Sequence, residues 1–173
     1  MNYLPDRNFE KIRKRYQFAC GYCGVTETST GGLLTLDHYK PRSRGGDDSE
    51  DNLIYACFKC NQFKWGFWPD VEQLTHQYRV LHPLLDDLSQ HLVENQQTGL
   101  IEPITETGKF HILLLKLNRP QLIKNRLNRM MMHMFQEKQQ ILEQQLKELQ
   151  KAIEAQNRYI AFLETHMTPL QKG

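Results

Sequence analysis

The chain has 173 residues and a mass of 20.5 kDa, room for one ordinary domain or a small domain with an extension. Hydrophobic residues make up 39% and charged residues 24%, with 10 glycines and 7 prolines, which excludes wholesale disorder and collagen-like structure. The longest apolar run, residues 53–58, has six members, far short of the roughly 18 that a membrane span needs. Residues 1–15 lack an apolar stretch and end in a run of charges, unlike a secretory leader. A soluble cytoplasmic protein without membrane contact is the expectation. The net charge of +2 hides an uneven distribution. Residues 11–15 form a basic cluster, and no acid occurs between Glu106 and Glu137, where Lys109, Lys116, Arg119, Lys124, Arg126 and Arg129 stand. Such patches attract polyanions over about a Debye length, about 8 Å at physiological salt.

Along the chain, the first chemical signal is Cys20-Gly-Tyr-Cys23, matched by Cys57-Phe-Lys-Cys60 after 33 intervening residues. A C-x-x-C turn points two thiolates the same way, and two such turns close a tetrahedral four-sulfur shell around Zn²⁺ at about 2.3 Å per bond. Gly21 and Gly24 give the first turn its backbone freedom. With no position left open, this zinc is structural: it folds the domain and does not catalyse. Between the two turns, residues 33–38 alternate loosely and read as a strand. Residues 40–49 read as a Pro/Gly/Asp/Ser loop, and residues 61–64 suggest the opening of a helix. This stretch gathers Asp37, His38, Asn52 and Asn61. A carboxylate and an amide oxygen are hard ligands suited to Mg²⁺ or Mn²⁺. A neutral histidine beside that metal can take a proton from water. Together they suit metal-assisted phosphodiester hydrolysis.

The run from Cys20 to Lys64 resembles the HNH endonucleases, in their four-cysteine branch with a ββα-metal fold. The shared pattern is C-x-x-C, D-H-x-x-P-x-S-x-G-G, D-N-L and C-x-x-C-N-x-x-K, met here at Cys20, Cys23, Asp37-His38 through Gly45-Gly46, Asp51-Asn52-Leu53, and Cys57 through Lys64. By position, the resemblance implies His38 as general base and Asp37 and Asn61 as holders of the catalytic cation. It implies Asn52 as orienting His38 or the loop beneath it, and Lys64 as contacting phosphate or tying the helix to the site. The third motif letter, often histidine, is Asn61 here, which favours Mg²⁺ over softer metals. Lys40, Arg42, Arg44 and Lys64 are the candidate nucleic-acid contacts, reading backbone rather than bases.

Beyond the second cysteine pair, residues 65–69 (Trp-Gly-Phe-Trp-Pro) can pack beneath the metal helix or stack on a base, and packing is the preferred reading. The resemblance continues weakly to about Arg126: a His-Pro turn at residue 82, His91, a strand over 99–105 and a helix over 110–117 that ends in L-x-L-N-R-P, with His82 and His91 read as scaffold. Asn118 reads as an N-cap and Pro120 as a first-turn residue. From Pro120 to about residue 166 no Gly or Pro intervenes. Phe135, Leu142, Leu146, Leu149, Ile153, Ile160 and Leu163 follow a four-three spacing with Gln139 and Gln156 in its gaps, the a/d stripe of a coiled coil. The methionines at 130–132 and 134 read as adaptable interface rather than a soft-metal site. The expected architecture is α+β: a zinc-stapled ββα-metal core in residues 1–70, an irregular scaffold extension in 71–117 and a long helical arm in 118–173. The expected function is divalent-metal-dependent DNA hydrolysis. The expected partners are DNA and either a second copy or another protein engaged through the helix. The size and architecture are similar to nuclease subunits of bacterial anti-phage systems directed by an ATPase or other sensor. The rival reading is a non-catalytic zinc-knuckle adaptor that binds nucleic acid and assembles through its coiled coil; the Asp37-His38 pair argues against it. RNA cleavage uses the same metal chemistry and is opposed by the lack of an RNA-binding module.

Overall fold

The computed structural model describes residues 7–167. Its elements are α1 (Arg7–Arg15), α2 (Glu27–Thr30), β1 (Thr35–His38), β2 (Leu53–Ala56), α3 (Phe58–Lys64), α4 (Val71–Thr75), β3 (Leu92–Glu94), β4 (Ile101–Pro103), α5 (Glu106–Leu114) and α6 (Pro120–Met167). Single 3-10 turns occur at Arg42–Arg44 and Leu88–Gln90. The architecture is α+β, as expected. The outer ends of the expected core and arm, residues 1–6 and 168–173, lie outside the described residues. Two compact units divide at Asn128 and Arg129, inside α6.

The first unit is organised around one short antiparallel pair, with Thr35 opposite Ala56, Asp37 opposite Ile54 and His38 opposite Leu53. All four residues of β2 are buried, because helices cover both faces. Strand side chains alternate: Tyr55 meets Phe9 of α1 edge-on at 5.7 Å, whereas Thr35 and Asp37 meet Asn61 and Lys64 of α3. The strand begins two residues later than the alternation suggests. α3 opens at Phe58 rather than after the second knuckle, with Cys57 at its N-cap.

The scaffold extension joins the same core: Val80, Ile112, Leu115, Leu117 and Leu122 cluster with Ile12, Ile54 and Cys60. β3 pairs with β4, Leu92 opposite Pro103. α5 starts at Glu106, four residues before the expected position, because the Thr105 hydroxyl accepts from the Gly108 N–H at 3.1 Å and caps it. Asn118 does not cap α6. Its amide donates to Ile101 O and accepts from Ile101 N, both at 2.8 Å, standing in for a neighbouring strand at the β4 edge. Arg126, counted above in the basic run, is buried and donates to Gly99 O and Leu117 O. The aromatic run splits. Phe67 packs on Phe110 and Trp68 on Tyr39, but Trp65 is 84% exposed, contrary to the packing role expected of it. The backbone turns left-handed there, φ 50°, to end α3.

His111 is buried and its Nδ1 accepts from the Leu81 N–H at 3.0 Å. Burial pushes its pKa down to about 4. The unfolded chain protonates this ring near the ordinary value of about 6.5, so acid favours unfolding. The stability it confers is whole above that value and is lost as pH falls toward 4, roughly 3 kcal/mol in total. Urea midpoints at pH 7.5 and pH 4.5 are expected to fall more for wild type than for His111→Asn, whose amide oxygen keeps the acceptor without the titration.

In the second unit the helix alone is described. Phe135, Leu142, Leu146, Leu149, Ile153 and Ile160 are between 48 and 61% exposed along its a/d stripe. Among the described residues, no helix is long and apolar enough to cross a membrane.

Candidate active site and zinc centre

The two knuckles bring Cys20, Cys23, Cys57 and Cys60 together with all four sulfurs within 4.8 Å of one another. A tetrahedral shell with bonds of about 2.3 Å has edges of about 3.8 Å, and Cys23 Sγ lies 3.8 Å from Cys57 Sγ. The set fits Zn²⁺, and no disulfide closes it. The two glycines of the first knuckle serve different needs. Gly24 takes φ 71° as its N–H returns to Cys20 O. A Cβ on Gly21 would meet the Tyr16 ring at 2.5 Å, so that position is set by space.

The sequence reading missed the cation beside these thiols. Arg119 Nη2 lies 3.6 Å from Cys60 Sγ, 3.7 Å from Cys57 Sγ and 4.0 Å from Cys23 Sγ, while Nη1 holds Leu115 O and Lys116 O. Four thiolates around Zn²⁺ would leave two net negative charges in a half-buried place, and the guanidinium offsets one of them. Removing such an outer partner typically weakens metal affinity by about 10–100-fold. Arg119→Ala is therefore expected to surrender zinc to a chromophoric chelator at correspondingly lower chelator concentration, with Arg119→Lys intermediate. Unchanged retention would leave Arg119 only its carbonyl contacts.

Asp37 and His38 are neighbours on β1, so their side chains diverge. Asp37 points toward α3 and is buried. Its Oδ2 accepts from Tyr22 OH at 2.6 Å and lies 3.1 Å from Lys64 Nζ. Lys64 is 1% exposed and also donates to His38 O at 2.7 Å. Its ammonium cannot reach a phosphate at the surface; of the two roles the sequence left open, the geometry is that of a tie between helix and strand. Burial weakens its charged form, which Asp37 supports. Removing one partner of such a buried pair costs about 3–5 kcal/mol. Burial, then the Asp37 carboxylate, holds the Tyr22 hydroxyl well above its ordinary value, so it stays a donor. One turn before Lys64, Asn61 Nδ2 donates to Thr35 Oγ1 at 3.1 Å, and Thr35 Oγ1 donates to Ala56 O. That arrangement leaves the amide oxygen as the end of Asn61 offered to a cation.

His38 faces the loop instead. Its Nε2 lies 2.6 Å from Asp48 Oδ1, a residue sequence reasoning passed over; a second acid in a loop rich in arginine was the available signal. Arg42 binds the same carboxylate through Nη2 at 2.5 and 2.7 Å and approaches His38 Nε2 at 3.2 Å. The Arg42 contact, then that of His38, holds the Asp48 carboxyl below its ordinary range. An ionised carboxylate only accepts, so Asp48 calls on Nε2 to donate, whereas Arg42 Nε donates toward the same atom. Asn52 clasps the loop at both ends: Oδ1 accepts from Lys40 N at 2.7 Å, and Nδ2 donates to Lys40 O at 3.0 Å and Asp47 O at 2.7 Å. It orients the loop and not the imidazole. Gly46 makes the closure possible, since a Cβ there would lie 1.8 Å from Lys40 O. Arg42 and Arg44 are exposed, and Lys40 stands over the Trp68 ring at 5.7 Å. Two histidines of the extension bond within it or to Asp51: His82 Nδ1 accepts from Leu84 N and Leu85 N, its Nε2 donates to Asp51 O, and His91 Nδ1 bonds Thr105 Oγ1.

Comparison with protein families matches residues 20–64 to the HNH endonuclease family. No curated protein and no solved structure matches the chain. The matched segment runs from the first zinc cysteine to Lys64, and holds the ββα unit with its zinc-type cysteine cluster.

Proposed function

We propose that the chain is a divalent-metal-dependent endonuclease that hydrolyses DNA, with His38 as the general base. The observation that supports this most is the divergence of two consecutive residues on β1. Asp37 is turned into the α3 side, next to the helix that carries Asn61, and His38 is held from the loop side through Nε2. Asp37 and Asn61 would hold Mg²⁺ or Mn²⁺, to which a carboxylate and an amide oxygen are suited. When bound, the cation supplies charge neutralisation at the scissile phosphate and the leaving oxygen. The residues supply the rest. His38 Nδ1 takes the proton of the attacking water, and Asp48 stabilises the imidazolium that forms. Lys64 and Tyr22 fix the Asp37 carboxylate. Asn52 holds the loop that carries Lys40, Arg42 and Arg44 toward backbone phosphates. In this reading Arg42 exchanges its contact with Asp48 for one with phosphate when substrate arrives.

The reading extends to a nuclease effector of a bacterial anti-phage complex, with an ATPase or sensor subunit supplying target choice. It is supported by a small catalytic segment joined to a long helix with an exposed apolar stripe, and by the absence of a base-reading pattern in the sequence. Incubation of zinc-loaded protein with supercoiled plasmid, and separately with single-stranded RNA, in Mg²⁺ or Mn²⁺ tests the substrate. Nicked or linear DNA with intact RNA is expected. Cleavage of RNA alone would move the substrate class, and binding without cleavage of either would favour the zinc-knuckle adaptor.

A further inference from the structure

We propose that the helix beyond residue 128 is the parallel, in-register dimerisation element of this chain, with a second copy as its occupant. This deepens the docking role given to the helix above. α6 runs unbroken from Pro120 to Met167. Its a positions are Met132, Gln139, Leu146, Ile153 and Ile160, and its d positions are Phe135, Leu142, Leu149, Gln156 and Leu163. All of them from 135 to 160 whose side chains are apolar are about half exposed, a continuous seam that a single helix leaves in water.

Three features select the partner and its direction. Isoleucine at two a positions with leucine at three d positions is the distribution that favours two parallel strands. In register, Gln139 meets Gln139 of the other copy and Gln156 meets its own counterpart; each amide offers both donor and acceptor, so each symmetric pair satisfies itself. Finally, the g position Lys138 and the following e position Glu143, both exposed, face each other across a parallel seam, and two-fold symmetry makes the contact twice. Within one helix they are five residues apart and do not face each other. The antiparallel pairing also places Gln139 opposite Gln156, but it brings g beside g and e beside e, so Lys138 and Glu143 of different copies do not meet.

Light scattering on the full-length, zinc-loaded chain tests the proposal without nucleic acid, so its outcome is independent of the nuclease reading. A mass twice 20.5 kDa is expected, falling to the single mass in Leu146→Glu. Lys138→Glu is expected to raise the dimer dissociation constant roughly tenfold, and Lys138→Glu with Glu143→Lys to restore it, which a general loss of helix would not do. Under oxidation, Gln156→Cys is expected to form a covalent dimer with itself. Monomeric wild type at tens of micromolar overturns the proposal in favour of a different protein on this face. Cross-linking only between Gln139→Cys and Gln156→Cys chains, without charge-swap rescue, overturns the parallel geometry.

Discussion

Removing zinc is expected to unfold the first unit. Structural zinc contributes about 10–16 kcal/mol in small four-ligand domains at neutral pH, as much as or more than the roughly 5–15 kcal/mol by which a whole domain is stable. Here the ligands are part of the core: Cys20, Cys57 and Cys60 are buried beside Ile54 and Ala56, and Cys57 stands at the N-cap position of the helix that carries Asn61 and Lys64. Without the metal, no coordinate bond joins the two knuckles to each other and α3 loses its anchor. Prolonged treatment with a strong chelator, or Cys57→Ser, is expected to abolish the near-ultraviolet circular dichroism of Tyr16, Tyr22 and Tyr55. Part of the signal at 222 nm should survive, because residues 129–167 of α6 contribute no cysteine. Retained near-ultraviolet signal in metal-free protein would show that the four sulfurs are not a folding centre.

His38→Ala is expected to lower DNA cleavage by about 10²–10⁴-fold, the usual contribution of a positioned general base, with zinc content and DNA affinity nearly unchanged. The fold depends on residue 38 through its carbonyl, which receives Lys64 Nζ, and alanine retains that carbonyl. The imidazole hydrogen-bonds to the exposed Arg42–Asp48 pair, and surface pairs of this kind contribute about 0–1 kcal/mol. A loss confined to rate, with thermal midpoint and DNA binding preserved, identifies a chemical role. An equal fall in rate and affinity would make His38 a binding residue.

The features legible in the sequence are those fixed by neighbours along the chain. Two C-x-x-C turns, a strand ending in Asp37-His38 and a helix unbroken after Pro120 each follow from local spacing, and each is found. What was not legible is partner choice across long separations. Arg119 reads as a member of a basic run, yet its charge is committed to sulfurs of Cys23, Cys57 and Cys60. Arg126 reads the same way and is buried on carbonyls. Lys64 reads as a phosphate contact or a tie, and only its burial beside Asp37 separates the two. Asn118 sits where an N-cap is expected, but an amide that can copy a strand's donor and acceptor found the β4 edge instead. Charge and hydrogen-bonding capacity are written in the residue type; the group they are spent on is set by packing.

The most direct test of the catalytic assignment is the metal dependence of plasmid cleavage at fixed zinc occupancy. Zinc-loaded protein freed of loosely bound cations by a resin column would be titrated with Mn²⁺ or Mg²⁺, alongside Asp37→Asn and Asn61→Ala with their zinc content verified. The account predicts no cutting without added cation, saturable cutting with it, and a higher cation requirement or loss of cutting in both variants. Cutting by the zinc-loaded wild type without added cation, or variants that respond to cation as wild type does, would contradict the placement of the catalytic metal on Asp37 and Asn61.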